Sequence, residues 1–349
     1  VADNGDGGAV HAFLQPNGNV GSVSMVSCRV SGNTASNDGG GIWVLGGLFE
    51  IGSSTICGNT PDQISGDYTD LGGNCISEVC DSDGDGIDDC NDPCPNWPYD
   101  CSEDGQTVFV AVGQSIQDAL YNVPDGGTVE VAAGTFPIGD INGLFRNGGD
   151  FSIRGAIDAE GGPATILDAG GSGRLMTLGS GQTNATVIAN LVLANGARDS
   201  TAGAVGINSD ASPTFRNCWF RDNAAGGNGG AVDIIGGTPR FESCRFSGNV
   251  AGGDGGAIFA VDATVTVEGG SIDDNQAANG GGVMILNSVC AITDVEFVAN
   301  RLGTGSNSGG AAVYVYGAST TSLVDCFFLE NVADNGDGGA VHAFLQPNG

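Results

Sequence analysis

Along much of the chain an aromatic or aliphatic residue stands three positions ahead of an asparagine. The pattern reads FRDN at 220 to 223, FSGN at 246 to 249, IDDN at 272 to 275, FVAN at 297 to 300 and FLEN at 328 to 331, and again VSGN at 30 to 33 and ICGN at 56 to 59. In the first run the asparagines are 26, 26, 25 and 31 residues apart. A glycine pair and a small-plus-aliphatic step follow each one, as in GGAV at 229 to 232, GGAI at 255 to 258, GGGV at 280 to 283 and GGGI at 39 to 42. Short alternating runs such as AVDII, AIFAV, VTVEG and AVYVY fill the space between. A period near 25 occupied by short strands predicts a β-solenoid in which each coil supplies a few strands.

Stacking coils about 4.8 Å apart turns identical positions into columns. Phe220, Phe246, Ile272, Phe297 and Phe328 are therefore expected to form an internal apolar file. Asn223, Asn249, Asn275, Asn300, Asn331 and Asn33 are expected to form an amide ladder at a turn, each side chain bonding the next. The glycine pair is expected to supply a positive φ at a repeating corner, and the small residue after it to let neighbouring coils approach.

Together these two motifs resemble the repeats of the chlamydial-type polymorphic outer membrane proteins, over residues 218 to 349 and 1 to 59. That resemblance implies a surface-exposed parallel β-helix of the adhesin kind. It does not extend to a membrane barrel, so that family's anchoring does not carry over. Upstream, GQSIQDALYNVPDGGTVEVAAGTF at 113 to 136 resembles the opening of pectin-lyase-like β-helices, which implies an amphipathic helix from Ser115 to Tyr121 capping the first coil. The fold expected is all-β: a right-handed parallel β-helix with a short N-terminal capping helix and a small calcium-binding linker.

Residues 1 to 18 and 332 to 349 are both VADNGDGGAVHAFLQPNG, an offset of 331 residues. Internal repeats have drifted to bare motifs, whereas this long-period copy is perfect, so the natural object is expected to be a tandem array. Accordingly, 1–79 reads as the last coils of one unit, 80–104 as an acidic, cysteine-rich linker, and 105–349 as the cap and first coils of the next unit.

Charge narrows the partners. The chain has 41 acidic residues against 10 basic ones, all Arg, which disfavours nucleic acid and favours divalent cations. No apolar stretch approaches the roughly 20 residues of a membrane span. Within DSDGDGIDDCNDPCP at 81 to 95, Asp81, Asp83, Asp85, Asp89 and Asp92 alternate around Gly86. The pattern resembles a thrombospondin type 3 calcium repeat, with the Ile87 carbonyl filling a position between side chains. Calcium is the one cofactor expected, because carboxylates this dense repel one another without an ion.

Eleven cysteines point to an oxidising, extracellular compartment. Cys80, Cys90, Cys94 and Cys101 are expected to staple the linker, with Cys94 and Cys101 the favoured pair, and Cys57 is expected to join Cys75. Cys218 and Cys244 occupy matching positions in adjacent coils and are candidates for a third bond. Cys326 and the next copy of Cys28 are related in the same way, and Cys290 has no evident partner.

An enzyme reading finds little support in the sequence. There is no Lys to act as base on a uronide, and the Arg residues, Arg221 and Arg245 among them, read as surface groups. Asp273 and Asp274 occupy a variable slot and read as solvated turn residues, and His11, repeated as His342, has no nucleophile beside it. No catalytic residue is assigned. The function expected is a structural subunit of an extracellular filament, partnered with itself head to tail. The alternatives are a cell-surface adhesin or glycan-binding stalk, using aromatics such as Trp43, Trp97 and Trp219, and a polysaccharide lyase or hydrolase.

Overall fold

The computed structural model describes residues 8–13, 22–46, 48–80, 100–102, 105–139, 143–303, 309–334 and 337–345. The chain forms two compact units, Val1–Gly105 and Gln106–Gly349. Both are parallel β-solenoids built from short strands.

In the Gln106–Gly349 unit one wall is an eight-stranded sheet that runs from Leu144–Phe145 through Met176–Leu178, Val205–Ile207, Val232–Ile235, Ile258–Val261, Val283–Leu286 and Val313–Gly317 to Val341–Leu345. A five-stranded wall carries the two-residue strands from Ala197–Arg198 to Arg301–Leu302. The remaining wall is a larger sheet whose strands bend within each coil. Arg240–Ser247 turns at Ser243, which has φ +52°. Asn217, Gly269, Asp294 and Asp325 hold the same left-handed corner in neighbouring coils.

The bend separates two interior columns. One runs Val129, Ile153, Ile188, Phe215, Phe241, Val267, Ile292, Leu323, each the register partner of the one before. The other runs Phe136, Leu167, Leu193, Phe220, Phe246, Ile272, Phe297, Phe328. Phe220 and Phe246 stack at 4.5 Å with rings 5° apart, and Phe215 and Phe241 at 5.2 Å. Phe241 meets Phe246 edge to face across the interior at 5.6 Å. Burying each ring stabilises by about 1.5–3 kcal/mol, and the stacked geometry adds about 0.5–1.5 kcal/mol per pair.

The first coil is closed by the helix Ile116–Asn122, one residue later than the sequence pattern predicts because Ser115 is its N-cap. Ser115 Oγ accepts from Asp118 N at 3.2 Å, and Ile116, Ala119 and Leu120 face the coil interior. Gln117 then takes the place of a missing strand: its Nε2 donates to Phe145 O (2.8 Å), and its Oε1 accepts from Phe145 N (2.9 Å). A sheet edge that would otherwise offer unpaired backbone is thereby satisfied.

The Val1–Gly105 unit contains three three-stranded sheets. Val10–Phe13 pairs with Ile42–Leu45, and Ile42–Leu45 with Ile64–Ser65. Val30, Ile42, Val44, Phe49, Ile51 and Ile56 form its core.

Candidate functional site

The chemistry that recurs in every regular coil is the corner at the Phe-x-x-Asn motif. The residue before the asparagine is left-handed each time: Asp222 (φ +55°), Gly248 (+67°), Asp274 (+58°), Ala299 (+54°) and Glu330 (+54°). What varies in this slot is the side chain, not the backbone. The turn swings the asparagine inward, and Asn223, Asn249, Asn275 and Asn300 are each at most 1% exposed.

Every amide valence is used. Asn249 Nδ2 donates one hydrogen to Phe220 O (2.9 Å) and the other to Asn275 Oδ1 (2.9 Å). Its Oδ1 accepts from both the backbone N (3.1 Å) and Nδ2 (2.9 Å) of Asn223. The same bonds link Asn275 to Asn300 and Asn300 to Asn331. A primary amide has two donors and two acceptor lone pairs, so this is full satisfaction of a buried polar group. In the other unit Asn33 donates to Asn59 Oδ1, and Asn59 donates to Gln63 Oε1 at 2.9 Å. Gln63 ends the ladder by supplying the acceptor that the next coil lacks, since Ile56 stands opposite Ile76 and the asparagine position three residues on is Val79. The sequence pattern does not reveal Gln63, because it lies outside the motif.

The glycine pair divides two tasks. Gly229, Gly255, Gly280 and Gly39 have φ between +58° and +69°. The second glycine has an ordinary φ but no room: a Cβ on Gly230 would strike Gly256 O, and one on Gly256 would strike Gly281 O.

The cysteines depart from expectation. Cys57 is bonded to Cys80, not to Cys75, with Cα atoms 5.0 Å apart. Register explains the exchange, since Cys57 stands opposite Ser77 while Cys75 stands opposite Thr55. Cys75 and Cys101 are each disulfide-bonded. Cys218 and Cys244 are buried free thiols. In-register parallel coils hold the two Cβ atoms at about the 4.8 Å strand spacing, wider than the roughly 3.8 Å typical of a disulfide. Each thiol donates to carbonyls instead, Cys218 to Arg216 O (3.3 Å) and Cys244 to Glu242 O (3.5 Å). Burial pushes the Cys244 thiol well above its usual range, and the adjoining Cys218 adds to the shift. Cys28 and Cys326 are free and half-buried. Cys290 is free and buried, and its thiol is pushed up to about 12 by burial. Asp81, Asp83, Asp85, Ile87, Asp89, Asp92, Cys90, Cys94 and Trp97 lie outside the described residues.

The groups weighed for catalysis are dispersed. Asp273 ends the strand Thr264–Asp273 and is half-buried in an ion pair with Arg245 (3.2 Å), so it is not the solvated turn residue expected from its slot; Asp274 is exposed at the corner. His342 Nδ1 accepts from Gly309 N (3.2 Å) and its ring lies 5.1 Å from Tyr314, while His11 packs edge-on against Trp43 at 4.3 Å. A cleft of about 470 Å³ beside the capping helix is lined by Gln114, Gln117, Asp118, Phe136, Ile138 and Leu144, with Asp118 the single carboxylate among its described lining residues. On the outer face of the eight-stranded sheet, Arg174 crosses Gly206 and donates to Thr201 O (3.0 Å). Burial, then the nearby Arg198, lowers Arg174 to about 10, and burial raises Asp233 against the pull of Thr201 and Arg174. Among the described residues no group of three or more His, Cys, Asp or Glu could hold a metal ion, and no helix is long and apolar enough to cross a membrane.

Residues 165–340 match the family model of the right handed beta helix region, and residues 27–44 match the Chlamydia polymorphic membrane protein repeat. Two crystal structures of the pectin methylesterase from Aspergillus niger are similar at 15% identity. The penultimately deglycosylated form covers 72% of this chain and 92% of that one with a TM-score of 0.39, and the deglycosylated form 71% and 92% with 0.33. No curated protein matches the chain.

Proposed function

The chain belongs to the right-handed β-helix family, and from that footing we propose that it is the repeating structural subunit of an extracellular filament. Rods of stacked coils follow one another head to tail, joined by the acidic segment at 80 to 104, which calcium orders and disulfides staple. The observation that carries this reading is the duplicated strand. As Val341–Leu345 the sequence VHAFL takes its register from the preceding coil, with His342 opposite Tyr314. As Val10–Phe13 the same sequence sets the register of the following coil, with His11 opposite Trp43. One strand thus has a partner available on either side, as an interior coil of a longer helix requires. The Cys57–Cys80 bond ties the start of the linker back across the last strand, Cys75–Ser77, to the coil before it.

Counting the duplicated strand once leaves ten coils per period in the wall it belongs to, or about 48 Å of axial rise before the linker. Electron microscopy of native material should show a filament with an axial repeat of that length plus the linker. Native material that proves to be a single compact particle of 34.7 kDa would sink the proposal. In chelator, protease should cut within 80 to 101 while the coils resist; equal resistance with and without calcium would remove calcium from the account. The match to the Chlamydia polymorphic membrane protein repeat favours a second reading, a surface adhesin or glycan-binding stalk, which a glycan array with and without calcium separates from the first.

A further inference from the structure

On the larger sheet of the Gln106–Gly349 unit the charges are sorted along the solenoid axis. Four of the chain's ten arginines, Arg216, Arg221, Arg240 and Arg245, project outward from two adjacent coils. Their side chains are open to solvent: Arg216 is 56% exposed, Arg240 43% and Arg245 51%. Glu242 answers Arg216 and Arg240 together, at 2.6 and 3.5 Å, Asp273 of the next coil pairs with Arg245 at 3.2 Å, and Asp222 is exposed beside Arg221, so within the two basic coils four arginines stand against Glu242 and Asp222. The next three coils of the same sheet carry only acids. Glu268, Asp273 and Asp274 come first, then Asp294 and Glu296, then Asp325 and Glu330, all exposed except Asp273. In a chain of net charge −31 a basic patch of this size is out of proportion, and it adjoins its own electrostatic complement.

We propose that this face is the lateral contact between two copies of the chain, packed antiparallel about a two-fold axis through the coil that holds Ser271. The register supports this choice. One outward column reads Trp219, Arg245, Ser271, Glu296, Phe327. Reversing it on itself sets Arg245 against Glu296, Trp219 against Phe327, and Ser271 against its own copy. The neighbouring column reads Arg221, Ser247, Asp273, Val298, Leu329, so Arg221 arrives at Leu329 beside Glu330. A two-fold contact requires a self-complementary surface, and this sheet has one. The acid end also presents Val324, Phe327 and Leu329 at 45%, 55% and 43% exposure, which provides apolar area where Trp219 lands. The basic and acidic centres lie two to three coils apart, about 12 Å, and the Debye length of about 8 Å at physiological salt keeps them distinct. In an array each unit adds one such face, so weak contacts sum along the rod.

The proposal does not depend on end-to-end joining or on calcium, and the test is made in chelator so that the two stand or fall separately. Sedimentation velocity of the 349-residue chain should show a two-copy species at about 20 mM NaCl that dissociates by about 500 mM. Arg245→Glu should abolish it, and the combined R245E/E296R variant, which restores the opposite pairing, should recover it; circular dichroism checks that each protein keeps its strands. A wild-type chain that sediments as one copy at both salt concentrations overturns the proposal. So does a swap variant that stays single while folded, or an arginine patch that retains a sulfated or uronate polysaccharide in place of a second copy.

Discussion

The coils between residues 128 and 194 and those between 214 and 331 share the larger sheet and the eight-stranded sheet but hold their corners by different means. Interior columns run through both, from Phe136 and Leu167 into Phe220 and Phe246. The polar corner does not. Three residues after Phe136, Leu167 and Leu193 stand Gly139, Gly170 and Gly196, where the later coils have asparagine. The cap-side coils satisfy their backbone with individual solutions. Thr165, fully buried, accepts from Ala156 N (2.9 Å) and donates to Ala132 O (2.8 Å), and Asn195 donates to Asp168 at 2.9 Å. Individual solutions tolerate variation, so Ile153 and Ile188 are partners 35 residues apart while Phe215 and Phe241 are 26 apart. The amide ladder instead makes each corner the acceptor for the one before it, and the corner stays the same whether the coil takes 25, 26 or 31 residues to return to it.

The largest effects should come from the interior. Phe246→Ala removes a ring stacked on Phe220 and is expected to cost about 4 kcal/mol in urea unfolding, against about 3 kcal/mol for Leu167→Ala on the cap side. Equal losses at the two sites would mean that ring stacking adds nothing beyond size.

The polar corners should follow closely. Asn249→Ala leaves the Asn223 N–H and one Asn223 Nδ2 hydrogen without partners and removes the side-chain bond to Phe220 O, a loss of about 3 kcal/mol. Thr165→Val strands fewer groups and is expected to cost about 1–2 kcal/mol. Hydrogen exchange sharpens the contrast: the N249A variant should expose amides in the coils on both sides of the break, T165V only its own corner. Confinement of the N249A effect to one coil would reduce the ladder to a row of independent turns.

This contrast also decides what was legible in the sequence. Phe220, Phe246 and Asn249 announce themselves because repetition is how their chemistry works. Phe136, Leu167 and Thr165 do equivalent work once each and leave no period to find. Gln117 and Gln63, which finish the two ends, are invisible for the same reason, since an end occurs only once. Spacing alone misled at Cys218 and Cys244, because matching positions on parallel coils share a column without meeting disulfide geometry. It misled again at Cys57, whose partner is set by the register of the last coil and not by proximity in sequence. The variable slot filled by Asp222, Gly248 and Ala299 looked like free surface, whereas its backbone is among the most constrained in the coil.

Glycines should give smaller differences of the same sign. Gly256→Ala puts a Cβ into Gly281 O of the next coil and is expected to cost about 2 kcal/mol, as overpacking does. Gly170, at φ +59° with open space around it, should lose about 1 kcal/mol to alanine from its left-handed backbone alone. A harmless G256A would show that the coils can part at that corner, and would count against close approach as the reason for the second glycine.

The smallest effect should separate the two regions by pH. Asp150 lies on the cap side. It accepts from Thr183 N (2.7 Å), Thr183 Oγ1 (2.8 Å) and Thr186 Oγ1 (2.7 Å). Burial pushes its carboxyl up, but the hydrogen bonds from Thr186 and Thr183 together outweigh burial and hold it below its ordinary 3.8. A depressed carboxylate stabilises the fold above its unfolded pKa, and that contribution is lost as pH falls through the folded value. The ladder amides do not titrate. As pH falls below about 4, amide exchange around 150 to 186 should therefore accelerate relative to exchange around 223 to 300, after correction for intrinsic rates. Asp150→Asn should loosen the cap-side corner already at neutral pH and flatten this dependence. Parallel acceleration in both regions, or an unchanged profile in D150N, would place the acid sensitivity elsewhere and leave the two kinds of corner alike in their response to protons.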